Sequence, residues 1–463
     1  MTPSNQGGAA AKSSIVHESY TIKEGLKIIE RFFSVPLDYS KPKGERITIF
    51  ARNVIPKSKA PKQEDEAKLP FLVYLQGGPG FEINLPSSGG YVGEIHDKGY
   101  QTLWVDQRGT GLSTPLSPDT LPEHVKTDEE IAQYLKHFRA DNIVRDCEFI
   151  RLELLGHKEL PEDKKWTLLG QSFGGFCAIT YLSFHSEGVK EVFITGGLAP
   201  LVEQPDLVYE TVVHQVLKRN EAYYRKYPQD IKRIRDILAY LDSTEVILPN
   251  GGQLTPRRWQ QLGINFGMHG GIDSVHQLVF RASNDLALFK KISYKTLQSI
   301  QNQQTFDGNP LYAILHEPIY CQGQAANWSA ARTVQNFDSF SWQKVKAQDD
   351  SSPIFFTGEM IFPHMFDDYT NLRPWKGAAE ILARDSSWGP LYDLDQLKKN
   401  EVKVSAVTYF NDMYVDFSLA QRTAATIQNT EQYITNQLVH DGIRKDSVDV
   451  MRKLFKLSKR EFD

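Results

Sequence analysis

Residues 168–175 read Leu-Leu-Gly-Gln-Ser-Phe-Gly-Gly and place Ser172 inside the motif Gly-x-Ser-x-Gly. The motif follows an apolar run at Trp166–Leu169 and precedes a helix-like segment at Phe176–Phe184. Strand, sharp turn and helix in that order are typical of a nucleophile elbow, in which the serine backbone is strained and its hydroxyl projects over the end of a sheet. A side chain at either motif glycine would collide with the neighbouring turn. The stretch therefore predicts a nucleophilic serine at position 172.

Short apolar runs around the elbow indicate a sheet that is buried on both faces. They lie at Phe71–Leu75, Thr102–Val105, Trp166–Leu169 and Glu191–Thr195. Near-continuous apolar strands separated by helical stretches are typical of a parallel sheet. Asp141–Leu155, with apolar residues at helical spacing, fits the crossover helix before the elbow. Two earlier runs, Lys27–Val35 and Arg46–Val54, are predicted to form an opening hairpin.

After Pro200 the pattern changes to charged helical segments and aromatic-rich loops, and a strand-like run returns only at Lys403–Phe410. The last segment, Ile443–Lys459, is predicted to be an amphipathic helix. Its apolar face, formed by Val448, Met451, Leu454 and Phe455, is expected to dock on the core. We therefore expect an α/β fold with a mostly parallel central sheet and a large, mainly helical inserted cap. The expected division is a loose tail at 1–14, a first core part at 15–200, an inserted cap or substrate-recognition domain at 201–400, and a second core part at 401–463.

Composition narrows the possible partners and the cellular compartment. The chain has 463 residues and a net charge of −4, which gives no reason to expect nucleic acid or an anionic membrane as a partner. Its three cysteines are far apart, so they predict neither a disulfide framework nor a metal site. The N-terminus lacks the pattern of a secretory signal, and no window approaches the ~18 apolar residues of a membrane span. We expect a cytoplasmic protein without metal or cofactor, and the oligomeric state stays open.

A serine nucleophile requires a base that takes its proton and an acid that orients the base. In proteins with this elbow the chain order is serine, acid, histidine. Asp412 falls just past the predicted strand Lys403–Phe410 and is the candidate acid, with Asp416 as the alternative. Of twelve histidines only His440 follows Asp412, so it is the candidate base.

The oxyanion that develops during acyl transfer needs fixed N–H donors. One predicted donor is the backbone of Phe173, and the second should come from the glycine-rich loop Gln76–Gly80 after the strand Phe71–Leu75. Another glycine-rich loop, Asp106–Ser113, lacks the Gly-Lys-Ser/Thr ending of a phosphate loop. We interpret it as a structural turn beside the active site.

Three short motifs follow one another along the chain, at Gln76–Gly80, Asp106–Ser113 and Gly170–Gly175. Together, in this order, they resemble the motifs of the larger form of the proline iminopeptidase (prolyl aminopeptidase) family of α/β-hydrolases. Within the insertion the resemblance is thinner and rests on His316–Cys321 and Gly358–Pro363. One departure is Gln76, where family members usually have histidine. That histidine is not the base, so the change should alter how the loop is held rather than the catalysis.

The resemblance implies a serine exopeptidase that releases N-terminal proline from peptides through an acyl-enzyme intermediate. Ser172, Asp412 and His440 match the family triad, and Gly77 and Phe173 match its oxyanion donors.

The resemblance also implies that cap glutamates bind the free imino terminus of the substrate. Glu317 is the best match for such a residue, Glu359 is a second candidate, and Gly78 is expected to join them in binding substrate. A partly buried carboxylate binds a cationic terminus through charge-assisted hydrogen bonds, and an apolar wall suits a pyrrolidine ring. Cys321 is either close to this pocket or simply a small buried residue.

Two other functions compete with this one. The same triad under a different cap pocket would give an esterase, an amidase or another aminopeptidase. A non-catalytic binding protein with this fold is the other alternative, and the intact order Ser172, Asp412, His440 argues against it. An aspartate nucleophile is excluded because the elbow residue is serine.

Overall fold

A computed structural model describes residues 14–86 and 88–460. The tail expected at 1–14 lies outside the described residues except for Ser14, whose carbonyl accepts a hydrogen bond of 2.9 Å from Ser34 N–H. All of the expected site residues lie inside the described ranges.

Within these ranges, nine strands form one sheet in the order β1-β2-β3-β5-β4-β6-β7-β8-β9. The strands β1 to β3 and the β3–β5 pair are antiparallel, and the pairs from β5 through β9 are parallel. Their bounds are β1 Ile15–Lys23, β2 Leu26–Pro36, β3 Arg46–Pro56, β4 Phe71–Leu75, β5 Gln101–Val105, β6 Trp166–Gln171, β7 Val189–Thr195, β8 Lys403–Tyr409 and β9 Thr430–Thr435.

The predicted opening hairpin and the five predicted strands β4 to β8 are confirmed. Two strands carried no signal in the sequence. Strand β1 lies at the sheet edge with eight of its nine residues exposed, so it lacks the alternation that burial imposes. Strand β9 lies at the opposite edge and is only partly buried, so its sequence also lacks a clear apolar pattern.

Eleven helices of eight or more residues accompany the sheet in the described part of the chain. They are α1 Gly90–Asp97, α2 Asp128–Leu135, α3 Ala140–Leu155, α4 Phe173–Phe184, α5 Asp206–Lys226, α6 Asp230–Ser243, α7 Gly271–Phe289, α8 Tyr294–Asn302, α9 Lys376–Arg384, α10 Phe417–Thr426 and α11 Ser447–Ser458. Shorter α-helices span Gln63–Glu66, Pro256–Gln260, Pro310–Leu315, Ser329–Val334, Trp342–Val345, Met365–Asp368, Leu394–Lys398 and Gly442–Lys445. None of the helices in residues 14–86 and 88–460 is long and apolar enough to cross a membrane.

Between β7 and β8 the regular secondary structure of the described chain is helical, apart from one isolated bridge that joins Ile247 to Gln253. This segment is the helical insertion of an otherwise α/β fold with a mostly parallel sheet, as predicted. Because β8 pairs with β7 in parallel, the chain leaves the sheet after the elbow and returns beside the strand it left.

The C-terminal helix α11 docks on the sheet through an apolar face. Met451, Leu454 and Phe455 are buried as predicted, and the Phe455 ring lies 5.1 Å from that of Phe193. Val450 completes this face rather than Val448, which is only half-buried. The predicted docking is therefore confirmed, with one residue of the face exchanged.

Arg108, in the loop after β5, forms a buried ion pair with Asp146 of α3. Its Nε lies 2.7 Å from Asp146 Oδ2, and its Nη1 donates to the carbonyls of Leu37 and His137 at 2.9 and 2.7 Å. The guanidinium therefore ties three segments of chain to the sheet. This geometry agrees with the interpretation of the Asp106–Ser113 loop as a structural turn.

Substituting Asp146→Ala would leave the fully buried Arg108 charge without its partner. We expect a loss of about 3–5 kcal/mol in the free energy of unfolding, the usual cost of breaking a buried pair from one side. Urea denaturation measures it. The matched control is Asp236→Ala, which removes an exposed partner of Lys232 and should change the unfolding free energy far less. Equal effects of the two substitutions would contradict the structural role of the buried pair.

Candidate active site

The elbow holds Ser172 in a strained conformation between β6 and α4. Its φ and ψ are 55° and −125°, outside the regions that serine normally adopts. A Cβ at Gly170 would lie 2.4 Å from the carbonyl oxygen of Gly174, and a Cβ at Gly174 would lie 1.9 Å from that of Leu75. Both contacts are impossible for any other residue, so the predicted requirement for glycine at the two positions is confirmed.

The structure brings Ser172, His440 and Asp412 into one hydrogen-bonded line. Ser172 Oγ lies 2.8 Å from His440 Nε2, and His440 Nδ1 lies 2.8 Å from Asp412 Oδ2. The other carboxylate oxygen of Asp412 accepts hydrogen bonds from the backbone N–H groups of Tyr414 and Val415 at 2.8 and 3.1 Å. Both carboxylate oxygens of Asp412 are thus engaged, and the histidine is held from its far side.

Asp416, the alternative acid, has a different role in the structure. Its Oδ1 accepts a hydrogen bond of 3.0 Å from Leu419 N–H and caps helix α10. A carboxylate at the N-terminus of a helix satisfies an otherwise free amide, which explains why an aspartate occurs there.

Two opposing effects set the proton affinity of His440. Burial lowers the pKa of the imidazole, but the charge of Asp412 and the hydrogen bond to it raise the pKa, and the net result is above the ordinary value. The ion pair with the carboxylate therefore outweighs the loss of water around the ring. Such a histidine is a stronger base towards Ser172 than one in solution.

The glycine-rich loop after β4 lies directly against the serine. A Cβ at Gly77 would lie 3.1 Å from Ser172 Cβ. The backbone N–H of Gly77, however, donates to the side-chain oxygen of Gln76 at 3.2 Å. Gln76 also accepts from the Tyr74 hydroxyl at 3.2 Å and donates to the carbonyl of Glu82 at 2.9 Å, so its amide braces the loop. The amide of Phe173 begins helix α4 beside the serine.

Glu317 is engaged with backbone groups of the cap. Its two carboxylate oxygens accept hydrogen bonds from Ser329 N–H at 3.2 Å and Ala330 N–H at 2.9 Å, at the start of helix Ser329–Val334. The residue is only 4% exposed, and burial raises the pKa of its carboxyl to about 8 although both amides lower it. Both oxygens are therefore already committed to the protein.

Glu359 is placed differently. It accepts a hydrogen bond from the Tyr312 hydroxyl, and its second oxygen lies 4.0 Å from His316 Nε2. Burial lowers the pKa of His440, and the negative charges of Asp412 and Glu359 raise it. Of the two candidate glutamates, Glu359 acts on the pKa of His440 through its charge, and Glu317 lies at a helix terminus.

Two buried polar groups between β7 and β8 had no signal in the sequence. The Tyr209 hydroxyl and His316 Nδ1 are buried and have no hydrogen-bond partner among the described residues. Burial raises the pKa of the Tyr209 phenol, and the charges of Glu317 and Glu359 raise it further. A buried hydroxyl without a partner is costly unless a ligand supplies one.

One group in the described residues has the spacing to hold a metal ion, formed by Glu148, His185 and Glu187. The carboxylate of Glu148 is already bonded to Arg151 and to the Tyr181 hydroxyl. His185 and Glu187 follow the C-terminal end of helix α4, and Ser172 precedes the N-terminal end of the same helix.

Comparison with known proteins gives matches over nearly the whole chain. Residues 70–240 match a family model described as the alpha/beta hydrolase fold. The chain is 42% identical over 432 residues to proline iminopeptidase aneH of Aspergillus aculeatus, with 93% of each chain covered. It is 39% identical over 440 residues to a proline iminopeptidase of Aeromonas sobria, with 95% of this chain and 98% of the other covered. Among solved structures, a proline iminopeptidase from Mycobacterium smegmatis aligns over 92% of this chain and 98% of its own, at 13% identity and a TM-score of 0.40.

The raised pKa of His440 predicts the acidic limb of the activity profile. The imidazole must be neutral to accept the Ser172 proton, so activity is present above this pKa and is lost as the pH falls through it. We expect the acidic limb of kcat/KM for a chromogenic ester to report an apparent pKa above the ordinary 6.5. A limb at or below that value would show that burial, rather than Asp412, controls the base.

Proposed function

Because the chain belongs to the proline iminopeptidase family of α/β-hydrolases, we propose that its elbow site releases N-terminal proline from peptides by acyl transfer to Ser172. The observation that carries the chemistry is the line of two 2.8 Å contacts that joins Ser172, His440 and Asp412. The choice of proline follows from family membership, since both relatives above 30% identity carry that activity in their names.

In the proposed reaction, Ser172 Oγ attacks the carbonyl carbon of the substrate proline while His440 Nε2 takes the hydroxyl proton. The tetrahedral intermediate collapses, the C–N bond breaks, and His440 returns the proton to the departing amine. Water then attacks the prolyl ester with His440 again as the base, and free proline and the serine hydroxyl are regenerated. Asp412 keeps the proton on Nδ1 and stabilises the imidazolium.

Two backbone amides are proposed to stabilise the oxyanion. The first is Phe173 N–H, at the start of helix α4 and next to the nucleophile. For the second we choose Gly78 rather than Gly77, because Gly77 N–H already donates to Gln76. Gly78 thus takes the role that the family resemblance gave to Gly77, and Gln76 keeps the loop in place.

Glu359 is proposed to bind the secondary ammonium of the substrate. Its charge raises the pKa of His440, one of its oxygens accepts from the Tyr312 hydroxyl, and the other lies 4.0 Å from His316 Nε2. A charge-assisted hydrogen bond in a dry site favours a free N-terminus over a blocked one. The aromatic rings of Tyr312 and Phe81, whose centroids are 4.9 Å apart, are suited to the pyrrolidine ring.

Glu317 is proposed to act on the pocket indirectly, through the helix terminus that it fixes at Ser329 and Ala330. We also propose that residues 201–400 form the substrate-recognition cap, because both glutamates and their partners fall in that range. A cytoplasmic location is supported by Cys147, Cys177 and Cys321, which are buried and free.

Substituting Ser172→Ala should lower kcat by roughly 10⁴–10⁶-fold and leave the fold intact, because only the nucleophilic oxygen is removed. Steady-state hydrolysis of a proline chromogenic amide measures the loss, and circular dichroism checks the fold. In a panel of amides, the native protein should prefer free Pro over Ala, Leu and N-acetyl-Pro. Near-normal turnover by the variant would refute the serine mechanism, and flat rates with fast ester cleavage would favour an esterase.

Substituting Glu359→Gln should weaken the capture of substrates with a free N-terminus. We expect kcat/KM for a proline amide to fall about 10–100-fold, the usual contribution of a hydrogen bond to a charged group. Hydrolysis of an N-blocked proline ester should change little, because that substrate lacks the cation.

The matched variant is Glu317→Gln. It replaces one of the two carboxylate oxygens, each of which accepts a backbone N–H, with an NH₂ group that can only donate. We expect a lower Tm and similar changes for free and blocked substrates. If Glu317→Gln selectively impairs the free terminus while Glu359→Gln does not, the two roles are reversed.

A further inference from the structure

One short cap segment, residues 264–269, contacts the core on both sides of His440. On one side, the hydroxyl of Tyr414 donates to the carbonyl of Ile264. The Tyr414 ring lies over the imidazole, with ring centroids 4.6 Å apart. A Cβ on Gly267 would lie 2.2 Å from the Tyr414 ring, so the cap backbone is pressed against it. The cap therefore supports the aromatic ring that covers the base.

On the other side, the same segment bonds to the residue that follows the base. His269 N–H donates to Asp441 Oδ1 at 3.1 Å, and His269 Nδ1 lies 2.6 Å from the same oxygen. An ionised carboxylate is only an acceptor, so Nδ1 carries the proton in this contact. The two side chains are about one-fifth exposed, at 22% and 19%, which leaves the pair only partly screened by water.

The segment is itself fixed inside the cap. Arg219 of α5 donates to the carbonyl of Phe266 at 2.8 Å. The Phe266 ring is stacked on Tyr223 at 5.1 Å and meets Phe356 edge-on at 5.2 Å. Residues 264–269 are therefore expected to move together with the cap helices. Their contacts with the core then depend on the position of the cap.

We propose that His269 is a positioning residue, which holds His440 in line with Ser172 by binding Asp441. The Cα atoms of Asp441 and His440 are adjacent, so the carboxylate fixes the backbone from which the imidazole projects. His440 then keeps its full reactivity as a base only while residues 264–269 of the cap contact the core. This inference rests on the proposed serine mechanism.

A merely structural role makes a different prediction. If the His269–Asp441 pair only fastens the cap, its loss lowers Tm or raises KM and leaves the reactivity of the serine unchanged. If the pair positions His440, its loss lowers every reaction in which His440 takes the Ser172 proton. Diisopropyl fluorophosphate separates the two cases because it needs neither a cationic terminus nor a proline pocket. The serine oxygen forms a bond to phosphorus, fluoride leaves, and His440 takes the proton.

The experiment compares His269→Ala, His269→Asn and the control His214→Ala in the full chain. Asn places an amide N–H near the position of Nδ1 and should restore the bond, whereas His214 is an exposed cap residue that contacts Phe337. We expect His269→Ala to lower both kcat and the rate of fluorophosphate inactivation about tenfold, as for loss of one hydrogen bond to a charged group, with KM changed by less than about twofold. His269→Asn should stay within about threefold of the native rates, and His214→Ala should match them.

A double-mutant cycle with Asp441→Asn completes the test. If the two residues act through one bond, the double variant should be no slower than His269→Ala alone. An unchanged inactivation rate in His269→Ala, or additive losses in the cycle, would overturn the inference. Failure of the native protein to be labelled at Ser172 would instead refute the serine mechanism itself, so the two failures are distinguishable.

Discussion

Ser172 and His440 are 268 positions apart in the chain, and the 2.8 Å bond between them is the contact on which the proposed chemistry depends. The sheet makes this contact possible. Strands β6, β7, β8 and β9 are parallel neighbours, so their carboxyl ends share one edge. The serine follows β6, Asp412 follows β8 and His440 follows β9. A helical insertion of any size can enter between β7 and β8 without disturbing this edge, provided that β8 returns to its place.

The parts of the site that depend on local backbone chemistry could be predicted from the sequence. The elbow is specified by two glycines, because the oxygens of Leu75 and Gly174 leave no room for a side chain at either position. The order of serine, acid and histidine then left His440 as the sole choice. Asp412 and Asp416 could be ranked only by distance from the strand, since both are buried acceptors of backbone N–H groups and differ in which groups they face.

Features that depend on side-chain direction could not be predicted in the same way. The use of Gly77 N–H by Gln76 requires knowing the rotamer of Gln76. The contrast between Glu317 and Glu359 depends on which carboxylate meets the start of a short helix and which meets Tyr312. Strand β1 and the hydroxyl of Tyr209, which has no partner within residues 14–86 and 88–460, could not be predicted from sequence periodicity. An exposed strand and a single buried tyrosine each lack a repeating pattern.

The position of the insertion in the chain offers a physical link between the proposed substrate recognition and the base. The cap enters the chain after β7, which lies beside the elbow strand, and its last residues lead directly into β8, whose end carries Asp412. A displacement of the cap would therefore move the start of β8, the strand that precedes Asp412. It would also move the residues around His440, through the contacts of the cap with Tyr414 and Asp441. Glu359, the carboxylate proposed to bind the substrate ammonium, belongs to this same unit. A cap seated by substrate would thus set the pocket and the base at once, so that full reactivity of the serine coincides with a filled pocket.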